Sequence, residues 1–109
     1  MGLTLPERTA LGDFRDWLRT RFGGRLSALE LFGSRARGEG DEESDLDVLV
    51  VVDELTGDER REVFYFAGDL LTRHAVRVSP FPVSRAHLDE LRVRERRIVG
   101  EIDRDHVPL

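Results

Sequence analysis

The chain has no cysteine and, reading through its 109 residues, no lysine. Without thiols, disulfides and thiolate metal sites are excluded, so any bound metal must be held by oxygen or nitrogen donors. All 17 basic residues are arginine. Arginine offers a planar fork suited to phosphates and carboxylates, although most of this usage reflects coding composition and the ease with which exposed Arg and Lys exchange. Positive charge is also in deficit: 22 acids leave a formal net charge of -5 and a pI near 5.2. That balance disfavours free nucleic acid as a stable partner. No apolar stretch is long enough to cross a membrane, and residues 1–6 lack the basic-then-apolar pattern of a leader. The expectation is a soluble cytoplasmic protein forming one domain over residues 1–109, with a modest core.

What is present reads as alternating helices and strands. Thr4 and Glu7 have capping-box spacing, with Pro6 in the first turn. Leu11, Phe14, Leu18 and Phe22 then recur at helical spacing, flanked by Trp17, until Gly23-Gly24 ends the helix. Leu26 to Phe32 alternates as a strand, with Leu29 and Leu31 on one face and Glu30 and Phe32 on the other. Arg35 to Arg37 predicts a short helix, ended by Gly38 and Gly40, before an acidic loop from Glu39 to Ser44. The run Asp45-Leu46-Asp47-Val48-Leu49-Val50-Val51-Val52 is apolar on both faces beyond Asp47, the pattern of a central strand buried on both sides.

Thr56 and Glu59 repeat the capping box, and Val63, Phe66, Ala67, Leu70, Leu71 and His74 predict the core stripe of a second helix. Phe64 and Tyr65 fall off that stripe and suggest a protein contact. A third strand is expected over about Ala75 to Ser79, broken by Pro80 and Pro82. Ser84 caps a final helical region with apolar contacts at Leu88, Leu91, Ile98 and Ile102 and a kink near Val93 to Arg97. Its run Arg92, Arg94, Arg96 and Arg97 reads as a solvated helix face. His106 to Leu109 reads as a tail. The three histidines are too widely spaced for a metal site, and His74 suits a helix C-terminus. Together these elements predict an α/β (α+β) domain, a small mixed sheet of three to four strands with helices packed on it.

Two features carry chemistry. Asp45 and Asp47, at i and i+2 on a strand, share a face with Cα atoms about 7 Å apart. Side-by-side carboxylates at the mouth of a buried strand are costly unless a cation joins them, and hard oxygen ligands suit Mg²⁺. Solvated strand-entry aspartates are the alternative. Gly33-Ser34, directly after a strand, allows close backbone approach, and its N–H groups and hydroxyl can cradle a phosphate. A plain turn is the alternative there. Arg35 and Arg37 stand near enough to hold phosphate oxygens.

The stretch Leu31-Phe32-Gly33-Ser34-Arg35-Ala36-Arg37-Gly38, followed after a ten-residue interval from Ser34 by Asp45-Leu46-Asp47-Val48-Leu49-Val50, resembles the signature of the polymerase-β-like nucleotidyltransferase superfamily. It is most similar to the minimal nucleotidyltransferase branch. The resemblance implies that Gly33, Ser34 and Arg37 contact the nucleotide. It implies that Asp45 and Asp47 are catalytic and bind Mg²⁺ or Mn²⁺. ATP would be the substrate, giving AMP to an acceptor hydroxyl and releasing pyrophosphate.

Single-domain members of that branch imply a helical HEPN-type toxin as partner, neutralised by this chain as antitoxin and in some cases modified with AMP. A second expectation is a catalytically weak module of the same fold that neutralises its partner by occlusion. It arises because active members carry a third carboxylate on a later strand, where this chain offers Arg77 or Ser79. Asp53, Asp69 and Glu101 are the other acids to consider.

Overall fold

A computed structural model describes residues 2–33, 35–36, 38, 44–94 and 106–109. The first helix, α1, spans Leu5–Phe22, and both halves of its capping box form: the Thr4 hydroxyl accepts from the Glu7 N–H, and the Glu7 carboxylate from the Thr4 N–H. A 3₁₀ turn over Gly23–Arg25 leads into β1, Leu26–Phe32. Strand β2 covers Leu46–Val52. Helix α2, Gly57–His74, starts from a second complete box between Thr56 and Glu59 and ends on Ala75 in the left-handed conformation, φ 55°. Then come β3 (Val78–Val83), α3 (Arg85–Arg94) and β4 (Val107–Pro108).

The strands form one mixed sheet in the order β3-β2-β1-β4. β1 pairs antiparallel with β2 and β4, and β2 pairs parallel with β3. A parallel pair needs a crossover, and α2 supplies it. β2 is therefore central, as its two-sided apolar pattern predicts. Leu46, Val48, Val50 and Val52 pack with Leu31 against Phe14 and Leu18 of α1 and Val63 and Leu70 of α2. Leu49 and Val51 join Phe32, Val83 and Leu88 of α3 on the opposite face. Phe66 stacks on Trp17 at 4.6 Å between ring centroids, fastening α2 to α1.

Three expectations need correction. The third strand is not broken by its prolines; it runs Val78–Val83 and contains both. The Leu46 N–H donates to the Arg77 carbonyl, so Arg77, Ser79, Phe81 and Val83 turn their backbone groups toward β2. Pro80 and Pro82 then face the open edge, where a missing N–H breaks no ladder bond. His106 to Leu109 is not a loose tail, because Val107–Pro108 pairs with β1 and Leu109 N–H donates to the Leu29 carbonyl. Leu71 leaves the predicted stripe: it is 47% exposed, one position past the buried Leu70.

The Ser84 hydroxyl accepts from the His87 N–H and caps α3 as expected. Of the stretch where a kink is expected, Val93 and Arg94 belong to α3, and residues 95–97, with Ile98, Glu101 and Ile102, lie outside the described residues.

Candidate active site

The C-terminal end of β1, the N-terminal end of β2 and the N-terminal end of the parallel β3 meet at one edge of the sheet. Gly33 follows β1 with φ 79°, a conformation that L side chains rarely adopt. A Cβ on it would lie 2.6 Å from Asp47 Oδ2, well inside contact distance. Glycine is thus required twice here, for its backbone and for the space the Asp47 carboxylate uses. Asp47 is half-buried as the second residue of β2, paired across the ladder with Phe32. Asp45 is exposed, one residue before the strand begins. Ser34 and Arg37, the other two nucleotide-contact candidates, lie outside the described residues.

Arg35 is not placed as a solvent-facing phosphate hook. Its side chain is 4% exposed and its Nη2 donates to Glu7 Oε1 at 2.6 Å, across 28 residues of sequence. Further donations reach the Gly2 carbonyl at 3.1 Å and the Ser44 carbonyl at 3.3 Å. Burial alone would raise the Glu7 pKa; the bonds from Arg35 and Thr4 outweigh it and hold the carboxyl below its ordinary value. Nor do Arg35 and Ala36 begin a helix: they lie in a turn, closed by the Gly38 N–H on the Arg35 carbonyl. Sequence reasoning found Glu7 only as a cap, because its partner is remote in the chain.

The register also settles what stands beside Asp47 on β3. The Cα partner of Asp47 is Ser79. Neighbouring parallel strands lie about 4.8 Å apart with paired side chains on one face, so a hydroxyl occupies the place next to Asp47. Arg77 precedes β3 and is exposed. Asp53 follows β2 at its far end, about 20 Å along the strand from Asp47. Asp69 is exposed on α2. Among the described residues no group of three or more potential metal-ligating side chains occurs. Two carboxylates at the strand mouth are the hard oxygen donors that a divalent cation would use there.

Two depressions flank this edge. The larger, about 710 Å³, is bounded by Thr4, Glu7, Ser44, His74 and Arg77 and includes neither Asp45 nor Asp47. His74 sits in the last turn of α2, as expected, and its Nε2 pairs with Asp13 of α1 at 2.9 Å. The smaller, about 260 Å³, is lined by Asp45 and Arg77 together with Phe64 and Leu71 of α2 and Pro80 of β3. Phe64 and Tyr65 are exposed on the outer face of α2, as their positions off the core stripe predict.

Residues 11–102 match the family model described as "Nucleotidyltransferase domain". The chain belongs to the nucleotidyltransferase domain family. Two relatives from Methanocaldococcus jannaschii carry the name "Putative protein adenylyltransferase". For MJ0604 the identity is 45% over 49 residues, covering 45% of this chain and 49% of that protein. MJ0141 is 36% identical over 69 residues, covering 62% and 70%. The match to the first thus spans about half of its length. Among solved structures, one described as a "putative minimal nucleotidyltransferase" aligns over 94% of both chains with a TM-score of 0.57 and 28% identity. A chain from a toxin–antitoxin crystallised with AMP-PNP aligns over 88% of this chain and 69% of its own, with a TM-score of 0.58 and 21% identity. The last likeness is one of fold. Among the described residues, three helices pack on a four-stranded mixed sheet, which is thus the nucleotidyltransferase fold, in agreement with the architecture expected from sequence. No described helix is long and apolar enough to cross a membrane.

Proposed function

We propose that this nucleotidyltransferase-family chain binds ATP with Mg²⁺ or Mn²⁺ at Asp45 and Asp47 and transfers AMP to a hydroxyl of a partner protein. The observation that carries the reading is the close approach of Gly33 to the Asp47 carboxylate at the mouth of the central strand. In the transfer, the acceptor oxygen bonds to the α-phosphorus, the bond to the bridging oxygen breaks with its electron pair going to the departing pyrophosphate, and the hydroxyl proton passes to a phosphate oxygen or to water. A divalent cation held at this site supplies neutralisation of charge on the triphosphate and the reacting oxygens. Asp45 and Asp47 hold that cation. Gly33, with Ser34 and Arg37, contributes contacts to the phosphates.

A protein acceptor is supported by the names of the two relatives, and a toxin by the toxin–antitoxin neighbour. We infer that the partner is a helical, HEPN-type toxin, neutralised by this chain as antitoxin. The groove from Asp45 past Phe64 to Pro80 is a surface where such a protein would reach the site. A specific observation favours a second reading: the Cα partner of Asp47 on β3 is Ser79, on the kind of later strand where the resemblance implies a third carboxylate. On that reading the chain binds nucleotide and neutralises by occlusion, without efficient transfer.

Calorimetry with Mg²⁺–ATP tests the site. The Asp45→Asn, Asp47→Asn double variant is expected to lose the Mg²⁺-dependent part of the affinity, because no hard anionic ligands remain at the strand mouth. Equal affinity in the double variant sinks the metal assignment. Incubation of the unchanged chain with ATP and the co-expressed partner separates the two readings. A mass gain of one AMP group on the partner supports transfer, and none supports occlusion.

A further inference from the structure

We propose that Arg35 is a positioning residue that holds the nucleotide loop in place without itself touching nucleotide, and that Glu7 thereby makes the first turn of α1 part of the site. The inference rests on the nucleotide-binding reading of Gly33 and deepens it. Arg35 stands two residues past Gly33, and its guanidinium ties together three separate stretches of chain. One is the Glu7 carboxylate of α1, another the Gly2 carbonyl before that helix, the third the Ser44 carbonyl, one residue before Asp45. The two ends of the loop, one carrying Gly33 and the other Asp45, are thus pinned through a single fork of donors to the start of α1.

The chemistry suits this role better than phosphate capture. Glu7 Oε1 accepts at once from Arg35 and from the Thr4 N–H at 2.8 Å, so the carboxylate that caps α1 is the one that holds Arg35. Both side chains are buried, at 4% and 8% exposure. To reach a phosphate, Arg35 would have to abandon a buried anion, which is strongly unfavourable. A planar fork can serve three acceptors in fixed directions, whereas an ammonium on a flexible stem cannot hold that geometry.

The test uses the full chain and Mg²⁺–ATP, with Glu59 as a matched comparison. Glu59 is also a capping-box glutamate in an arginine pair, with Arg25, but it belongs to α2. Glu7→Gln keeps the box, since glutamine serves at that position, and removes the charge. Glu7→Gln is expected to weaken Mg²⁺–ATP binding by about tenfold or more, the scale on which misplaced supporting residues act. Arg35→Lys is expected to do the same, and Glu59→Gln to leave affinity unchanged.

If Arg35 were a phosphate ligand restrained by Glu7, Glu7→Gln would instead bind ATP as well or more tightly. That result overturns the proposal. A second readout needs no nucleotide: hydrogen exchange at the Gly38 and Leu46 amides should accelerate in Glu7→Gln and stay as it is in Glu59→Gln. Unchanged exchange in Glu7→Gln also overturns it. Should the unchanged chain fail to bind Mg²⁺–ATP, the nucleotide reading falls. The exchange measurement then decides by itself whether Arg35 holds the loop.

Discussion

At the scale of single residues, Gly33 shows how a backbone conformation and a side-chain site can depend on the same missing atom. Its φ of 79° disfavours any other residue, and a Cβ would collide with Asp47 Oδ2. Gly33→Ala is therefore expected to cost about 1–2 kcal/mol from the left-handed backbone, before the added contact is counted. It should also weaken Mg²⁺–ATP binding by displacing the carboxylate. Gly12→Ala is the comparison. There a Cβ meets only the end of Arg15 at 4.0 Å, within α1, where alanine stabilises by about 0.5–1 kcal/mol. Urea titration of both variants should give opposite signs, and a neutral Gly33→Ala would show that the turn is not constrained as described. Gly33 was legible in the sequence because a strand, a glycine and a serine adjoin there. The Glu7–Arg35 pair was not, because local spacing carries no information about a contact across 28 residues.

At the scale of elements, the parts that rest on local chemistry were legible and those that rest on pairing were not. Both capping boxes were readable because donor and acceptor lie three residues apart. β2 was readable because both of its faces are apolar. β3 was misjudged because proline reads as a breaker unless one knows that the strand lies at an edge, and edge position is a property of the sheet. β4 has two residues, and its pairing with β1 is all that identifies it.

The α2 box has a consequence for acid stability. The hydrogen bonds from Arg25, then the Thr56 backbone, lower the Glu59 pKa from 4.5 to about 2. A depressed carboxyl contributes stability that is fully present above pH 4.5 and lost as pH falls toward 2. Denaturation monitored from pH 6 downward (roughly the plateau for carboxylate-linked stability) should show Glu59→Gln less stable than the unchanged chain at the upper end. The difference should shrink through that acid window. A gap that stays constant to the acid limit would mean that the Arg25 pair does not set the Glu59 titration.

At the scale of the whole molecule, the question is whether a nucleotidyltransferase fold with two carboxylates and a serine can carry out transfer, and the register says which position to change. Ser79 is the Cα partner of Asp47, whereas Arg77 lies before the strand and Asp53 beyond the far end of β2. A carboxylate restored at 79 would share the face of Asp47 about 4.8 Å away. It would supply the proton acceptor that neither serine nor arginine provides near neutral pH, help worth about 10²–10⁴-fold in rate. Ser79→Asp is therefore expected to raise AMP transfer from labelled ATP by about 10²-fold or more. Arg77→Asp should raise it less.

The same variant has a signature that needs no turnover. A third carboxylate crowding Asp47 repels it in the absence of a cation, so Ser79→Asp should be less stable than the unchanged chain in chelator. It should also gain more from added Mg²⁺, because a ligand that binds only the folded state stabilises it. If Ser79→Asp is no more active and its melting temperature is no more sensitive to Mg²⁺, then position 79 does not face the carboxylates proposed to hold the cation. Slow transfer by the unchanged chain, if the AMP-transfer assay finds it, would then need a different cause.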